Sequence, residues 1–300
     1  MQAPHIPVLL DEVIDAFKDI KDGYIIDCTL GYGGHSGALL KAKHNIKIIA
    51  NDQDDEALEF SKNRLKEYED RIIFNKGNFK DVFKKFKDLP IRGILADIGV
   101  SSLQLDKQSR GFGFDSDVLD MRMDTSEPFS ASDVVNHYSQ IELERIFRDY
   151  GEVKEYKKAA SLVVKNRPFN STKELSDMFM KNFYKGKIHP ATLPFQAIRI
   201  EVNKELDVLS ELFESIEQNK PTNTIVAIIS FHSLEDRIVK NYFKKWSKNC
   251  ICPPEAFRCT CGNNNAIGKV VTKQPITASN KELKINPRSR SAKLRIFKID

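Results

Sequence analysis

Residues 24–40 read YIIDCTLGYGGHSGALL: a strand-like apolar run, an acid, a glycine-rich turn and the start of a helix. Junctions of this kind bring the backbone close to a bound nucleotide, because glycine places no Cβ in the way. The strict dinucleotide fingerprint G-x-G-x-x-G needs glycine at 31, 33 and 36, and position 36 is serine. The stretch is instead G-x-G-G-x-x-G. Two readings stay open, a ligand-binding turn or a tight turn that only packs the first helix on its sheet.

The flanking sequence decides the fold class. GYIIDCTL, IKIIAND, RIIFNKGNF and IRGILADIGV are four predicted strands, and SGALLKAK and DEALEFSKNRLKEY are predicted helices between them. Regular βαβ alternation with nearly continuous apolar strands implies a Rossmann-like, doubly wound parallel sheet covered on both faces. From about Leu105 to Ile200 the strand signal stops. Leu143, Ile146, Phe147 and Tyr150 form one apolar helix face, and Ser171 with Glu174 reads as a capping box. After the helix NKELDVLSELFESIEQ, strands return as NTIVAIISF, GKVVTKQP and AKLRIFKI. The pattern predicts an α/β domain (1–105 and 201–300) interrupted by an all-helical insertion (106–200) expected to serve substrate recognition.

Ligands of open α/β sheets bind beyond the carboxyl ends of the strands. Those ends carry Asp27, then Asp52, then Asn78 and Phe79, then Asp97 and the run GVSSLQLD. Asp52 lies 21 residues beyond Gly31, the spacing at which an acid reaches a ribose hydroxyl. It could equally cap a helix. A methyl donor such as S-adenosylmethionine needs close backbone approach and no phosphate cradle, which suits the broken fingerprint.

The chain has 300 residues, 41% hydrophobic and 30% charged, ordinary for a globular protein. Its longest apolar run, TIVAIISF, is strand-sized and excludes a membrane-spanning helix. The start MQAPHIPVLLDEV lacks the layout of a secretory signal, so a cytoplasmic location is expected. Net charge is +5, unevenly spread: Asp236 to Asp300 holds 15 Lys or Arg against 4 acids. A basic tail on a mildly acidic body points to a polyanionic partner.

Cys28 stands alone in a predicted strand, whereas Cys250, Cys252, Cys259 and Cys261 form C-x-C-x6-C-x-C. Four thiolates so close in sequence can close a tetrahedral structural zinc site, although C-x-C is tighter than the common C-x-x-C.

HIPVLLDEV, DCTLGYGGHSGALL, KGNF, ADIGVSSLQLD, RGFGFDSDVLDMRMD, FQAIRIEVNKEL, ISFHSLEDRIVK and PRSRSAKLR occur in this order from His5 onward. Together they resemble the bacterial ribosomal RNA small-subunit methyltransferase H family, also called MraW. The resemblance implies a class I S-adenosylmethionine-dependent methyltransferase fold with a helical insertion. It further implies methylation of the exocyclic N4 of one cytidine in the decoding region of 16S rRNA. Matched by motif, it assigns the methyl donor to Gly33, Gly34, His35, Asp52, Phe79 (against adenine), Asp97 and Gln104. Two departures stand out. Leu103 occupies a position where the family usually has proline, and NDQDD in place of the commoner DRD leaves Asp54 a rival to Asp52.

For the chemistry, Asp97 is the leading acceptor for the amino hydrogens, with Ser101 and Ser102 beside it; its alternative role is to hold the methionine ammonium. His232 is expected to orient the base or take the proton, or else to hydrogen-bond a loop. Glu235 and Asp236 begin a helix, where acids are favoured anyway. NYFKKWSK mixes Tyr242, Phe243 and Trp246 with lysines, suited to RNA or to a core-facing helix. Arg288, Arg290, Lys293 and Arg295 lie near one another, and Lys293 and Arg295 are expected to widen a basic surface if they alternate outward along the final strand. The partner expected is 16S rRNA, within the small subunit, with no membrane; a homodimer is left open. Competing classes are a nicotinamide-dependent oxidoreductase and a non-enzymatic, zinc-stapled RNA binder.

Overall fold

The computed structural model describes residues 6–184, 186, 188–253 and 255–300, without the side chains of residues 102 and 103. His5, where the family resemblance begins, lies outside them. The chain divides into two compact units: Met1–Gly99 with Leu206–Asp300, and Val100–Glu205. The switch falls at Gly99/Val100 and Glu205/Leu206, against the 106–200 expected from the loss of strand signal.

The first unit is built on seven strands: β1 (Gly23–Asp27), β2 (Ile46–Asp52), β3 (Ile72–Lys76), β4 (Ile91–Asp97), β5 (Thr224–Ser230), β6 (Gly268–Val270) and β7 (Lys293–Ile299). Their order is β3-β2-β1-β4-β5-β7-β6. The first five are parallel, and β7 runs antiparallel to both β5 and β6. Strand order reverses between β1 and β4, which places the ligand crevice beyond their carboxyl ends.

Each apolar run is continuous because both sheet faces are covered. Ile25, Ile48, Leu95 and Ile229 enter one buried cluster with Val13, Phe17, Leu39 and Leu40. Their neighbours Ile26, Ile49, Ile94 and Ile228 enter the other, with Leu212, Phe213, Phe243 and Trp246. Each such side chain contributes about 1.5–3 kcal/mol by leaving water.

In chain order the first helices are α1 (Leu10–Ala16), α2 (Gly34–Ala42), α3 (Asp55–Arg64) and α4 (Phe79–Lys85). The helix expected to run through Tyr68 ends at Arg64 and continues as a 3-10 segment to Arg71, with Tyr68 outside helical geometry. The second unit contains α5 (Ser102–Asp106), α6 (Ala131–His137), α7 (Gln140–Asp149), α8 (Tyr156–Lys165), α9 (Thr172–Asn182) and α10 (Thr192–Asn203), and no strand among its described residues. Leu143, Ile146 and Phe147 of α7 are fully buried with Val163, Leu175, Phe179 and Ile198. At the start of α9, Ser171 accepts the Glu174 amide, but Glu174 reaches the Asn170 N–H, one residue before the box partner expected. The first unit resumes with α11 (Glu205–Asn219), α12 (Ser233–Trp246) and α13 (Asn280–Ile285).

Candidate methyl-donor and acceptor site

Three acids gather at the carboxyl ends of β1, β2 and β4, and each is fixed differently. Asp27 is 2% exposed; its Oδ2 accepts the Ser36 hydroxyl at 2.6 Å and its Oδ1 the Thr29 amide at 3.2 Å. Asp52 accepts two backbone amides, Gly31 at 2.8 Å and Asp54 at 2.9 Å. Asp54, the rival, instead opens α3 by accepting the Glu56 amide at 3.1 Å. Asp97 is held through its own amide, which donates to Thr29 Oγ1 at 2.7 Å. Its Oδ1 is sealed from solvent without a hydrogen-bond partner.

Burial pushes Asp27 and Asp52 up to about 6, and Asp97 to about 8. For Asp97, the carboxylates of Asp27 and Glu235 add to the burial effect. No lysine or arginine is among these causes. Acids that burial holds partly neutral are electrostatically prepared for a cation, which would restore their charge.

The glycine turn has a divided purpose. Gly31 sits at φ +51 with open space where a Cβ would stand, so its backbone can be approached. Gly33, at φ +71, and Gly37 face Leu65: a Cβ there would come within 2.8 and 2.9 Å of its methyl groups. A Cβ on Gly34 would meet Pro7 at 2.4 Å. The extra glycine thus answers helix packing, and the approachable glycine is Gly31, which the family match did not single out. Ser61 secures the turn by donating to the Gly31 carbonyl at 2.7 Å.

His35 is buried in α2. Its Nε2 lies 2.9 Å from the Val8 carbonyl and therefore carries the proton in that bond; Nδ1 lies 3.9 Å from Asp97 Oδ2. Phe79 begins α4 behind the Asn78 cap, which accepts the Lys80 amide, and is partly buried. Gln104 belongs to the second unit, where its Oε1 accepts the Ser101 amide and its own amide donates to the Ser101 hydroxyl. The Ser102 and Leu103 side chains lie outside the described residues.

A polar ladder went unnoticed in the sequence. Asn51 Nδ2 donates to the carbonyls of Cys28 and Gly77, while its Oδ1 accepts from Asn75 Nδ2 at 2.6 Å. Lys85 donates to Asn75 Oδ1. The ladder ties together the ends of β1, β2 and β3. The available signal was an asparagine in a buried position of two successive strands.

The contacts of the remaining candidates bear on readings that the sequence left open. His232 is the N-cap of α12: its Nδ1 accepts the Glu235 amide at 3.5 Å, and Glu235 Oε2 accepts the amides of Phe231 and His232. The two side chains also lie 3.0 Å apart, Nε2 to Oε1, without hydrogen-bond geometry. The ring is thus already engaged in a loop-to-helix cap. Phe243 and Trp246 are buried, and Tyr242 stacks on Phe213 at 4.6 Å, so α12 turns its aromatics to the core and not to RNA. Arg295 is buried and pairs with Asp236 at 2.6 Å, and Lys293 lies 3.6 Å from the same carboxylate. Arg295 and Asp236 form an internal ion pair where a basic surface was expected, and Lys293 stays part-exposed beside it. Cys28 is buried in the core, as expected.

The remaining cysteines do come together. Cys250 Sγ is 3.7 Å from Cys259 and 3.9 Å from Cys261, and Cys259 is 3.5 Å from Cys261. All four ligand atoms lie within 4.8 Å of one another. The separations exceed a disulfide bond of about 2.05 Å. They match the edges of a tetrahedron with metal–sulfur bonds of about 2.3 Å. The amides of Ile251 and Thr260 point at Cys261 and Cys252 Sγ, at 3.4 and 3.3 Å.

A switch point flanked by acids, with an approachable glycine turn and a last strand reversed against its neighbours, defines a class I, Rossmann-like methyltransferase with an inserted helical unit. The MraW methylase family matches residues 2–300. The ribosomal RNA small subunit methyltransferase H of Aliarcobacter butzleri is 67% identical over 300 residues, covering 100% of both chains. The protein of the same name from Sulfurimonas denitrificans is 56% identical, over 99% of this chain and 98% of its own. This chain belongs to the MraW methylase family.

Proposed function

We propose that the protein transfers the methyl group of S-adenosylmethionine to the exocyclic N4 of a cytidine in the decoding region of 16S rRNA. The observation that carries this reading is Asp97 Oδ1, a buried carboxylate oxygen left without a partner at the switch point. The name shared by the relatives supports the small-subunit RNA as substrate.

The donor supplies an electrophilic methyl on a sulfonium, and its two positive centres suit the acids described above. In this reading Asp52 faces the ribose, Phe79 the adenine, and the Gly31–His35 turn lies along the donor. A cytosine amino group is a poor nucleophile because its lone pair is delocalised into the ring. Asp97, as hydrogen-bond acceptor, favours the pyramidal nitrogen that develops as the bond to carbon forms and the carbon–sulfur bond breaks. The surplus proton leaves the nitrogen for a carboxylate oxygen of Asp97. His35 and Thr29 are positioning residues for that carboxylate, and His232 holds the entry to α12.

The helical unit and the exposed lysines of residues 236–300 serve RNA binding. The four clustered cysteines hold a structural zinc ion remote in sequence from the chemistry.

The test is labelled methyl transfer to small subunits lacking the modification, followed by mapping of the labelled nucleotide. Label at cytosine N4 supports the proposal; label on another base, or selective calorimetric binding of NAD over S-adenosylmethionine, overturns it.

A further inference from the structure

Residues 247–267 join α12 to β6, and none of the described residues among them is buried. A connection of this length without a core of its own is uncommon in a compact domain unless function or a cross-link maintains it. Among the described residues, it is drawn together by the sulfur cluster and by Asn265, whose side chain donates to the carbonyls of Asn249 and Cys261. Around that cluster stand large apolar side chains in water: Phe257 at 106% exposure and Ile251 at 61%. Arg258 follows Phe257 directly, and Lys248 precedes Cys250; both are exposed.

A phenylalanine fully in water has no role in stability. Set between a cation and a rigidified turn, it has the character of a stacking platform for an unpaired base, with phosphate contacts from its neighbours. Of the 15 basic and 4 acidic residues of 236–300, Arg295 and Lys293 are engaged by Asp236, and the excess that remains selects a polyanion over an apolar partner.

We infer that the four-cysteine loop is a zinc-closed knuckle that grips a single-stranded part of the RNA substrate through Phe257, Ile251, Arg258 and Lys248. The inference rests on the zinc and RNA readings above and adds the contact surface. The metal orders the turn, and the exposed side chains bind. No bond to the transferred methyl group is involved, so RNA affinity and donor affinity separate.

The test uses the full chain. Zinc per chain is measured by mass spectrometry, donor affinity by calorimetry, and RNA affinity with a fluorescent single-stranded fragment of the 16S decoding region. Phe257→Ala is expected to keep its zinc and its donor affinity while weakening RNA binding about 10-fold. Cys259→Ser is expected to lose zinc and weaken RNA at least as much, with the donor still bound. Absence of zinc from freshly purified wild type, or a disulfide in its place, overturns the metal. Zinc-loaded Phe257→Ala that binds RNA within twofold of wild type overturns the contact surface. A wild type that grips RNA through Phe257 yet never methylates it counts against the proposed activity alone.

Discussion

Ser36 donates its hydroxyl to Asp27 Oδ2 at 2.6 Å, and both groups are buried. The residue that breaks the dinucleotide spacing is thus the one that holds the acid at the end of β1. Restoring the fingerprint by Ser36→Gly removes that donor and leaves a buried acceptor short of a partner. The variant is expected to lose about 1–3 kcal/mol in urea unfolding and to gain no affinity for NAD. Unchanged stability, or NAD binding, would show that the serine is incidental.

Asp97→Asn keeps the shape of the side chain and removes its charge. Turnover is expected to fall below about 1% of wild type, with donor affinity weakened far less. Near-normal turnover would remove Asp97 from the chemistry.

The same substitution carries a stability signature. Asp97 has a folded-state value near 8 against an ordinary 3.8, so the folded protein binds the extra proton. Its contribution is fully present below the ordinary value and is lost as pH rises through about 8. Ligand-free Asp97→Asn is therefore expected to unfold at a higher temperature than wild type at pH 8, by roughly 5 °C from about 2 kcal/mol. At pH 4 the two should nearly coincide. A gain of equal size at both pH values would contradict a protonated Asp97.

Donor affinity should rise with pH. A cation favours the ionised acids, so below about pH 8 binding must expel protons. Calorimetry between pH 6 and 8 is expected to show affinity rising up to about tenfold per unit, with proton release visible on changing the buffer. A flat profile would mean that the donor does not meet these carboxylates.

Arg295→Ala removes the closer of the two cations on Asp236 and leaves Lys293 at 3.6 Å as its remaining partner. It is expected to cost about 1–3 kcal/mol in urea unfolding. RNA affinity of the variant, measured where it is folded, should stay within twofold. A stable variant with weakened RNA binding would return Arg295 to the surface role its sequence implied.

The sheet was legible because both faces of its strands are covered, so the strands appear as apolar runs. The helical unit was legible from the periodicity of Leu143, Ile146 and Phe147. The acids at strand ends were visible by position alone. Their pairing was not, since Ser36 reaches Asp27 across a turn and Arg295 reaches Asp236 across 59 residues. The glycines show the same limit. Gly33 and Gly34 have the spacing of a ligand loop, but Leu65 and Pro7, far away in sequence, account for the absence of their side chains.

β7 lies between β5 and β6 although it follows both in the chain. Until it is synthesised, β5 presents an unpaired strand edge and β6 has no neighbour to join. The glycine turn and its acids can assemble earlier, on β1, β2 and β4. A nascent chain therefore carries that turn while its sheet still invites aggregation, and on the proposed function donor binding during synthesis would favour the half already formed.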